Sequence, residues 1–111
     1  MRRLLPVLIL TLATLAPAAA PSAAPAAERR CKGMVVDGNR ISRLRAVGVG
    51  CLTARRVARA WVRSEDCNAL IGNPEDCTVR RYRCTMADSG FGTAVTCRRP
   101  SRRVRFRVDA A

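Results

Sequence analysis

The stretch that decides the fold is residues 41–62, ISRLRAVGVGCLTARRVARAWV. Its first half alternates apolar and polar side chains, which predicts a β-strand. Its second half carries apolar residues three or four positions apart, which predicts an amphipathic helix from Cys51 to Arg63. Gly48 and Gly50 give the backbone the freedom to turn between these elements. No other segment offers a helix of useful length, so the remaining strands are expected to pack on this unit.

The strand follows a turn signal and contains an irregularity. Asp37-Gly38-Asn39 is a run of turn residues, so a hairpin or tight turn should lead into the strand. In a regular strand Ile41 and Leu44 would point to opposite faces. Placing both in the core requires a bulge or an irregular first turn.

The helix has one apolar and one basic side. The apolar stripe comprises Cys51, Ala54, Val57, Ala58, Trp61 and Val62. The arginines on or beside the opposite stripe are Arg55, Arg56, Arg59 and Arg63. The stripe makes Trp61 a core residue, with ligand stacking as the alternative. The N-cap is weak, because no Ser, Thr, Asp or Asn immediately precedes the helix.

Three more strands are predicted, at Thr78–Ala87, Thr93–Arg98 and Arg103–Val108. Apolar and polar residues alternate in them, and in the last strand the polar residues are all arginine. One face should pack on the helix and the other should face water. We therefore expect a small disulfide-stapled α+β domain, in which a strand–helix unit is followed by a three-stranded antiparallel meander.

The N-terminal region predicts export. Two arginines precede an apolar run of 13 residues, Leu4–Ala16, and small residues follow it. This order is typical of a signal peptide, here residues 1–20, with cleavage between 18 and 27. An uncleaved N-terminal anchor is the alternative. Residues 21–30 are interpreted as a flexible Ala/Pro-rich leader and residues 31–111 as the folded domain, with no stable membrane span after cleavage.

Six cysteines follow the leader: Cys31, Cys51, Cys67, Cys77, Cys84 and Cys97. An even number in an exported chain predicts three disulfides. The chain has neither histidine nor a Cys-x-x-Cys pair, which argues against zinc. The short intervening loop favours a Cys67–Cys77 disulfide. Cys51, Cys84 and Cys97 all lie on predicted inward faces, so we expect Cys51 to bond one of the two strand cysteines. Cys31 would bond the other.

The Cys67–Cys77 region holds the one acidic cluster of the sequence. The carboxyl and amide groups of this cluster belong to Glu65, Asp66, Asn73, Glu75 and Asp76. A solvated loop closed by a disulfide and a calcium site are the two interpretations. The spacing does not match an EF-hand loop. We therefore predict neither a metal nor a cofactor.

The charge is strongly positive. Lys and Arg number 21 against 8 acidic residues, for a net charge of +13, or +11 without Arg2 and Arg3. Lys32 is the one lysine, which codon bias of a GC-rich genome explains as well as ligand binding does. The excess charge still attracts nucleic acid, acidic glycans, wall polymers or anionic lipid. The lack of histidine and of nucleotide-binding motifs predicts that the protein is not an enzyme.

The basic side of the predicted meander is the candidate site. The predicted polyanion-binding residues are Arg81, Arg83, Arg103, Arg105 and Arg107. Arg98, Arg99 and Arg102 lie around them. The four aromatic residues are mostly assigned to the core, which leaves no stacking platform on this surface. A merely solubilising face is the alternative.

Four segments carry a resemblance: Val49–Arg59, Tyr82–Cys84, Val95–Arg98 and Val104–Phe106. Through them the chain resembles a group of uncharacterised short secreted, cysteine-containing proteins of GC-rich, actinobacterial-type bacteria. The resemblance covers about residues 41–108 and implies an extracytoplasmic location and a similar plan, but no activity. The acidic loop is an addition to that pattern, which supports pairing of its two flanking cysteines with each other.

The sequence thus predicts a secreted, non-enzymatic protein that binds an anionic envelope or extracellular polymer through an arginine-rich sheet face. The alternative is a disulfide-stapled inhibitor or protein-interaction module that contacts an unidentified protein through the Cys67–Cys77 loop. A membrane-active, arginine-rich toxin is disfavoured, because a folded sheet explains the alternation of arginine with apolar residues.

Overall fold

A computed structural model describes residues 13–14, 27–68, 76–90 and 92–111. Most of the predicted signal peptide and leader lies outside the described residues. The secondary-structure elements are β1 (Arg29–Arg30), β2 (Met34–Val36), β3 (Asn39–Val47), α1 (Cys51–Arg63), α2 (Glu65–Asn68), β4 (Cys77–Val79), β5 (Tyr82–Ser89), β6 (Gly92–Arg99) and β7 (Arg102–Ala110).

The described strands form one seven-stranded antiparallel sheet in the order β1-β3-β7-β6-β5-β4, and β2 also pairs with β3. Three disulfides link the described elements, which confirms the prediction of a small domain with three disulfides. The sheet is larger than the predicted meander, because β3 pairs with β7 from Asn39↔Ala110 to Val47↔Arg103. The strand before the helix and the last strand of the chain thus become neighbours inside one sheet.

The main helix has the predicted bounds, Cys51–Arg63. Its N-cap residue, Gly50, makes no side-chain hydrogen bond, as the weak N-cap signal indicates. Ala54, Val57 and Ala58 of the predicted apolar stripe are fully buried. The short α2 was not predicted. The backbone N–H of Cys67 donates to the Ser64 hydroxyl at 3.3 Å, so Ser64 both ends α1 and caps α2.

The hydrophobic core lies between α1 and one face of the sheet, here called the inner face. Trp61 is only 1% exposed, which confirms its assignment to the core. Its ring meets the ring of Phe106 edge-on, with centroids 5.8 Å apart and an interplanar angle of 75°. Val104 and Val108 are buried beside Phe106 on β7, so the arginines between them point to the opposite, outer face.

Two disulfides differ from the prediction. Cys51 bonds Cys31, and Cys84 bonds Cys97, so the predicted bond between the helix start and the meander is wrong. Cys84 and Cys97 lie directly opposite each other on β5 and β6, with Cα atoms 4.0 Å apart, which brings the two thiols within bonding reach. The favoured Cys67–Cys77 bond is present.

Within the described residues, regular secondary structure is present two residues before Cys31. Arg29 and Arg30 form β1 and pair with Ala46 and Arg45 of β3. Both residues belong to the segment that the sequence predicts as a flexible leader. They form a strand because the edge of β3 supplies partners for their backbone hydrogen bonds.

The turns contain several residues with positive φ. The register between β3 and β7 shifts between Ser42 and Arg45, and Arg43 has a φ of 50°, so the predicted bulge is confirmed. Asp37 and Gly38 form the predicted tight turn between β2 and β3, with φ angles of 48° and 80°.

Candidate anion-binding surface

The outer face carries arginines in register across neighbouring strands. Arg83 lies opposite Arg98, and Arg98 lies opposite Arg103, so three arginines form a row across β5, β6 and β7. Directly opposed side chains have Cβ atoms about 5 Å apart, and like charges in such pairs destabilise a sheet. A bound anion would remove this repulsion.

A second pair lies next to this row. Arg105 of β7 faces Arg45 of β3, and Arg107 faces Ser42. We use the name outer-face cluster for Arg43, Arg45, Arg83, Arg98, Arg103, Arg105 and Arg107.

The structure places four of the five predicted site residues on the outer face. Arg81 is the exception, because it lies in the two-residue turn between β4 and β5 with a φ of 67°. The sequence did not assign Arg45 to the site. Its position between buried Leu44 and Ala46 was the available signal, since neighbours of buried strand residues point outward.

One carboxylate is already bound in the cluster. Glu28 accepts hydrogen bonds from Arg45 Nη1 at 3.1 Å, from Arg103 Nη2 at 3.2 Å and from Arg105 Nη2, which lies 2.8 Å from both carboxylate oxygens. The hydrogen bond from Arg45, followed by that from Arg105, lowers the pKa of Glu28 below its ordinary value. Three arginines against one carboxylate leave an excess of positive charge.

Sequence reasoning missed Glu28, which it placed in the flexible leader. The pairing of β1 with β3 brings Glu28 beside the guanidinium groups of β3 and β7. No local sequence signal reveals this contact, because Glu28 and Arg105 are 77 positions apart.

A shallow pocket of about 290 Å³ lies on the outer face next to the Glu28 site. Arg43, Arg45, Arg105 and Arg107 line it, with Ala94 and Thr96 among the other lining residues. Arg43 and Arg107 have no ion-pair partner within the described ranges. Ala94 and Thr96 of β6 lie opposite Arg107 and Arg105, so small side chains leave room for a ligand group beside the arginines of β7.

The aromatic side chains in the described part of the chain lie inside. Trp61, Tyr82 and Phe106 are each at most 3% exposed. Arg99 stacks over the Tyr82 ring, with its guanidinium carbon 5.4 Å from the ring centroid. The outer face therefore offers charge and hydrogen-bond donors rather than rings on which bases or sugars stack.

Most of the Cys67–Cys77 loop, with Asn73 and Glu75 of its acidic cluster, lies outside the described residues. Asp76, at the end of the loop, makes a long ion pair of 3.9 Å with Arg83. Among the described residues, no group of three or more His, Cys, Asp or Glu side chains is arranged to hold a metal ion.

Three disulfides are typical of proteins from oxidising, extracytoplasmic compartments. None of the described helices has the length and apolar character needed to cross a membrane. Comparison of the chain with protein-family models, with characterised proteins and with solved structures found no match.

Proposed function

We propose that this is a secreted, non-enzymatic α+β protein that binds an anionic envelope or extracellular polymer through the outer-face cluster. The observation that carries the proposal is the binding of the Glu28 carboxylate by Arg45, Arg103 and Arg105. It demonstrates a geometry in which guanidinium groups from two strands converge on a single anionic group.

The repeat of arginines along the sheet favours a polymer over a small anion. The row Arg83, Arg98 and Arg103 and the pocket beside Arg107 offer further positive groups next to the Glu28 site. A chain with repeated carboxylate, phosphate or sulfate groups would contact several of them at once, and each contact would release counterions. The aromatic rings that the structure describes, Trp61, Tyr82 and Phe106, are buried, which favours recognition of charge over recognition of sequence.

Heparin affinity of the oxidised protein tests the proposal. The outer-face variant Arg83→Ser, Arg98→Ser, Arg107→Ser removes three charges and leaves every Glu28 contact in place. The control variant Arg29→Ser, Lys32→Ser, Arg81→Asn removes three exposed charges that line neither outer-face pocket. We expect the outer-face variant to bind much more weakly than the control at the same salt concentration. Equal losses of heparin affinity in both variants would show that binding depends only on net charge and would contradict a site on the outer face.

A further inference from the structure

A second group of arginines lies on the side of α1 that is turned away from the sheet. Arg56, Arg59 and Arg63 occupy positions i, i+3 and i+7 and so share one helix stripe, opposite the buried residues of α1. Together with Arg80, from the turn between β4 and β5, they line a pocket of about 240 Å³. We call these four residues the helix cluster.

The helix cluster is poorly neutralised. Arg63 forms an exposed ion pair of 3.2 Å with Asp37, and Arg59 approaches the Met34 sulfur at 3.9 Å. Arg56 and Arg80 have no ion-pair partner among the residues that the structure describes. Of the four guanidinium groups beside this pocket, only that of Arg63 has a carboxylate partner among the described residues.

The backbone at Arg80 supports a role for this side chain. Arg80 and Arg81 are the two central residues of the tight turn that joins Val79 and Tyr82, and both have positive φ angles, 48° and 67°. Such a turn favours Asn and Gly, because larger L-residues are strained there. Strained residues cluster at functional sites, and here the strain positions Arg80 beside the helix arginines.

The two clusters lie on opposite sides of the domain. The buried stripe of α1 faces the inner face of the sheet, so the helix cluster and the outer face point in opposite directions. Since packed elements lie about 10 Å apart and a helix is about 10 Å wide, the clusters are on the order of 20 Å apart. One stiff polymer strand cannot reach both without wrapping around the domain.

We propose that the helix cluster is a second anion-binding site and that the protein bridges two polyanion chains, one on each side. This inference rests on the proposed function of the outer face. A protein with both sites cross-links anionic polymer instead of binding a single chain. The ligands of Arg56, Arg59 and Arg80 would be carboxylate, phosphate or sulfate groups.

The test mixes donor-labelled and acceptor-labelled heparin with the oxidised protein and measures energy transfer between the labels. We expect transfer to rise with protein concentration and to fall again when excess protein saturates each chain separately. The helix variant Arg56→Gln, Arg59→Gln, Arg80→Asn should still bind labelled heparin through the outer face but lose the transfer. Glutamine and arginine have similar helix propensities, so α1 should persist in this variant, which circular dichroism checks.

The control variant Arg29→Ser, Lys32→Ser, Arg81→Asn has the same net charge as the helix variant and also alters the strained turn. It should retain energy transfer. If the helix variant transfers energy as well as this control, the helix cluster is not the second site and another contact, such as self-association, bridges the chains. If wild-type protein binds heparin without energy transfer, bridging is wrong while the proposed function stands. If it does not bind heparin at all, the proposed function itself fails.

Discussion

Arg45 and Arg105 lie directly opposite each other on β3 and β7, and the Glu28 carboxylate accepts hydrogen bonds from both, at 3.1 and 2.8 Å. Two like charges in adjoining strands would repel each other, and Glu28 relieves this repulsion. Glu28 immediately precedes β1, the first described strand, so the contact also fastens this strand to β3 and β7.

Replacing Glu28 with Gln should lower stability and strengthen polyanion binding. The pKa of Glu28 is lowered in the folded protein, so its stabilising contribution is present above the unfolded pKa, about 4.3, and is lost as pH falls through the lower folded value. Thermal melts of both proteins should therefore differ near neutral pH and converge in acid. Heparin binding by the variant should tighten, because three arginines lose their internal partner.

The control for this experiment is Glu65→Gln, which removes an exposed carboxylate that forms no ion pair in the described ranges. It should leave the melting temperature nearly unchanged at neutral pH. Weaker heparin binding by the Glu28 variant would show that Glu28 organises the arginines instead of competing with the ligand.

Replacing Arg80 and Arg81 with residues that favour positive φ angles should stabilise the protein. The double variant Arg80→Asn, Arg81→Gly replaces two strained residues with those that a two-residue hairpin turn prefers. We expect a gain of about 1–2 kcal/mol in the free energy of unfolding, measured by urea denaturation. An unchanged or lower stability would mean that the arginine side chains contribute more to the fold than the strain costs.

Peptide mapping of the oxidised protein should find three linkages: Cys31–Cys51, Cys67–Cys77 and Cys84–Cys97. Replacing both Cys84 and Cys97 with Ala should cost about 3 kcal/mol, because a closed loop of this length restricts the unfolded chain. Recovery of a Cys51–Cys84 or Cys51–Cys97 peptide would contradict the strand register described above.

Gly48 should tolerate no side chain. It has a φ of 72°, and a Cβ atom at this position would overlap the backbone carbonyl oxygen of Ser101. Gly38 has a similar φ of 80° but open space around it, so it provides a matched control. Gly48→Ala should destabilise the protein well beyond the roughly 1 kcal/mol expected for backbone strain in Gly38→Ala. Similar losses in the two variants would show that the contact with Ser101 is not close.

The sequence predicted local features well because each depends on neighbours along the chain. The bounds of α1, the burial of Trp61 and the bulge between Ile41 and Leu44 all follow from the spacing of apolar residues. The outward direction of the β7 arginines follows in the same way from their alternation with buried residues.

Features that depend on strand register could not be predicted from spacing. Cys84 and Cys97 were correctly placed on inward faces, but their pairing follows from the Ser89↔Gly92 register of the β5–β6 hairpin. A shift of one residue would separate them. The pairing of β3 with β7, and with it the Glu28 site, joins segments that are far apart in sequence.

The most direct test of the central claim is the salt dependence of binding to double-stranded DNA, for which the release of counterions per contact is known. A plot of log K against log salt should be linear for the wild-type protein. The outer-face variant Arg83→Ser, Arg98→Ser, Arg107→Ser should have a slope smaller in magnitude by up to about 0.9 for each lost contact. The control Arg29→Ser, Lys32→Ser, Arg81→Asn should keep the wild-type slope. If both variants shared one slope, the outer face would make no localised contacts with the polymer and the proposed site would be wrong.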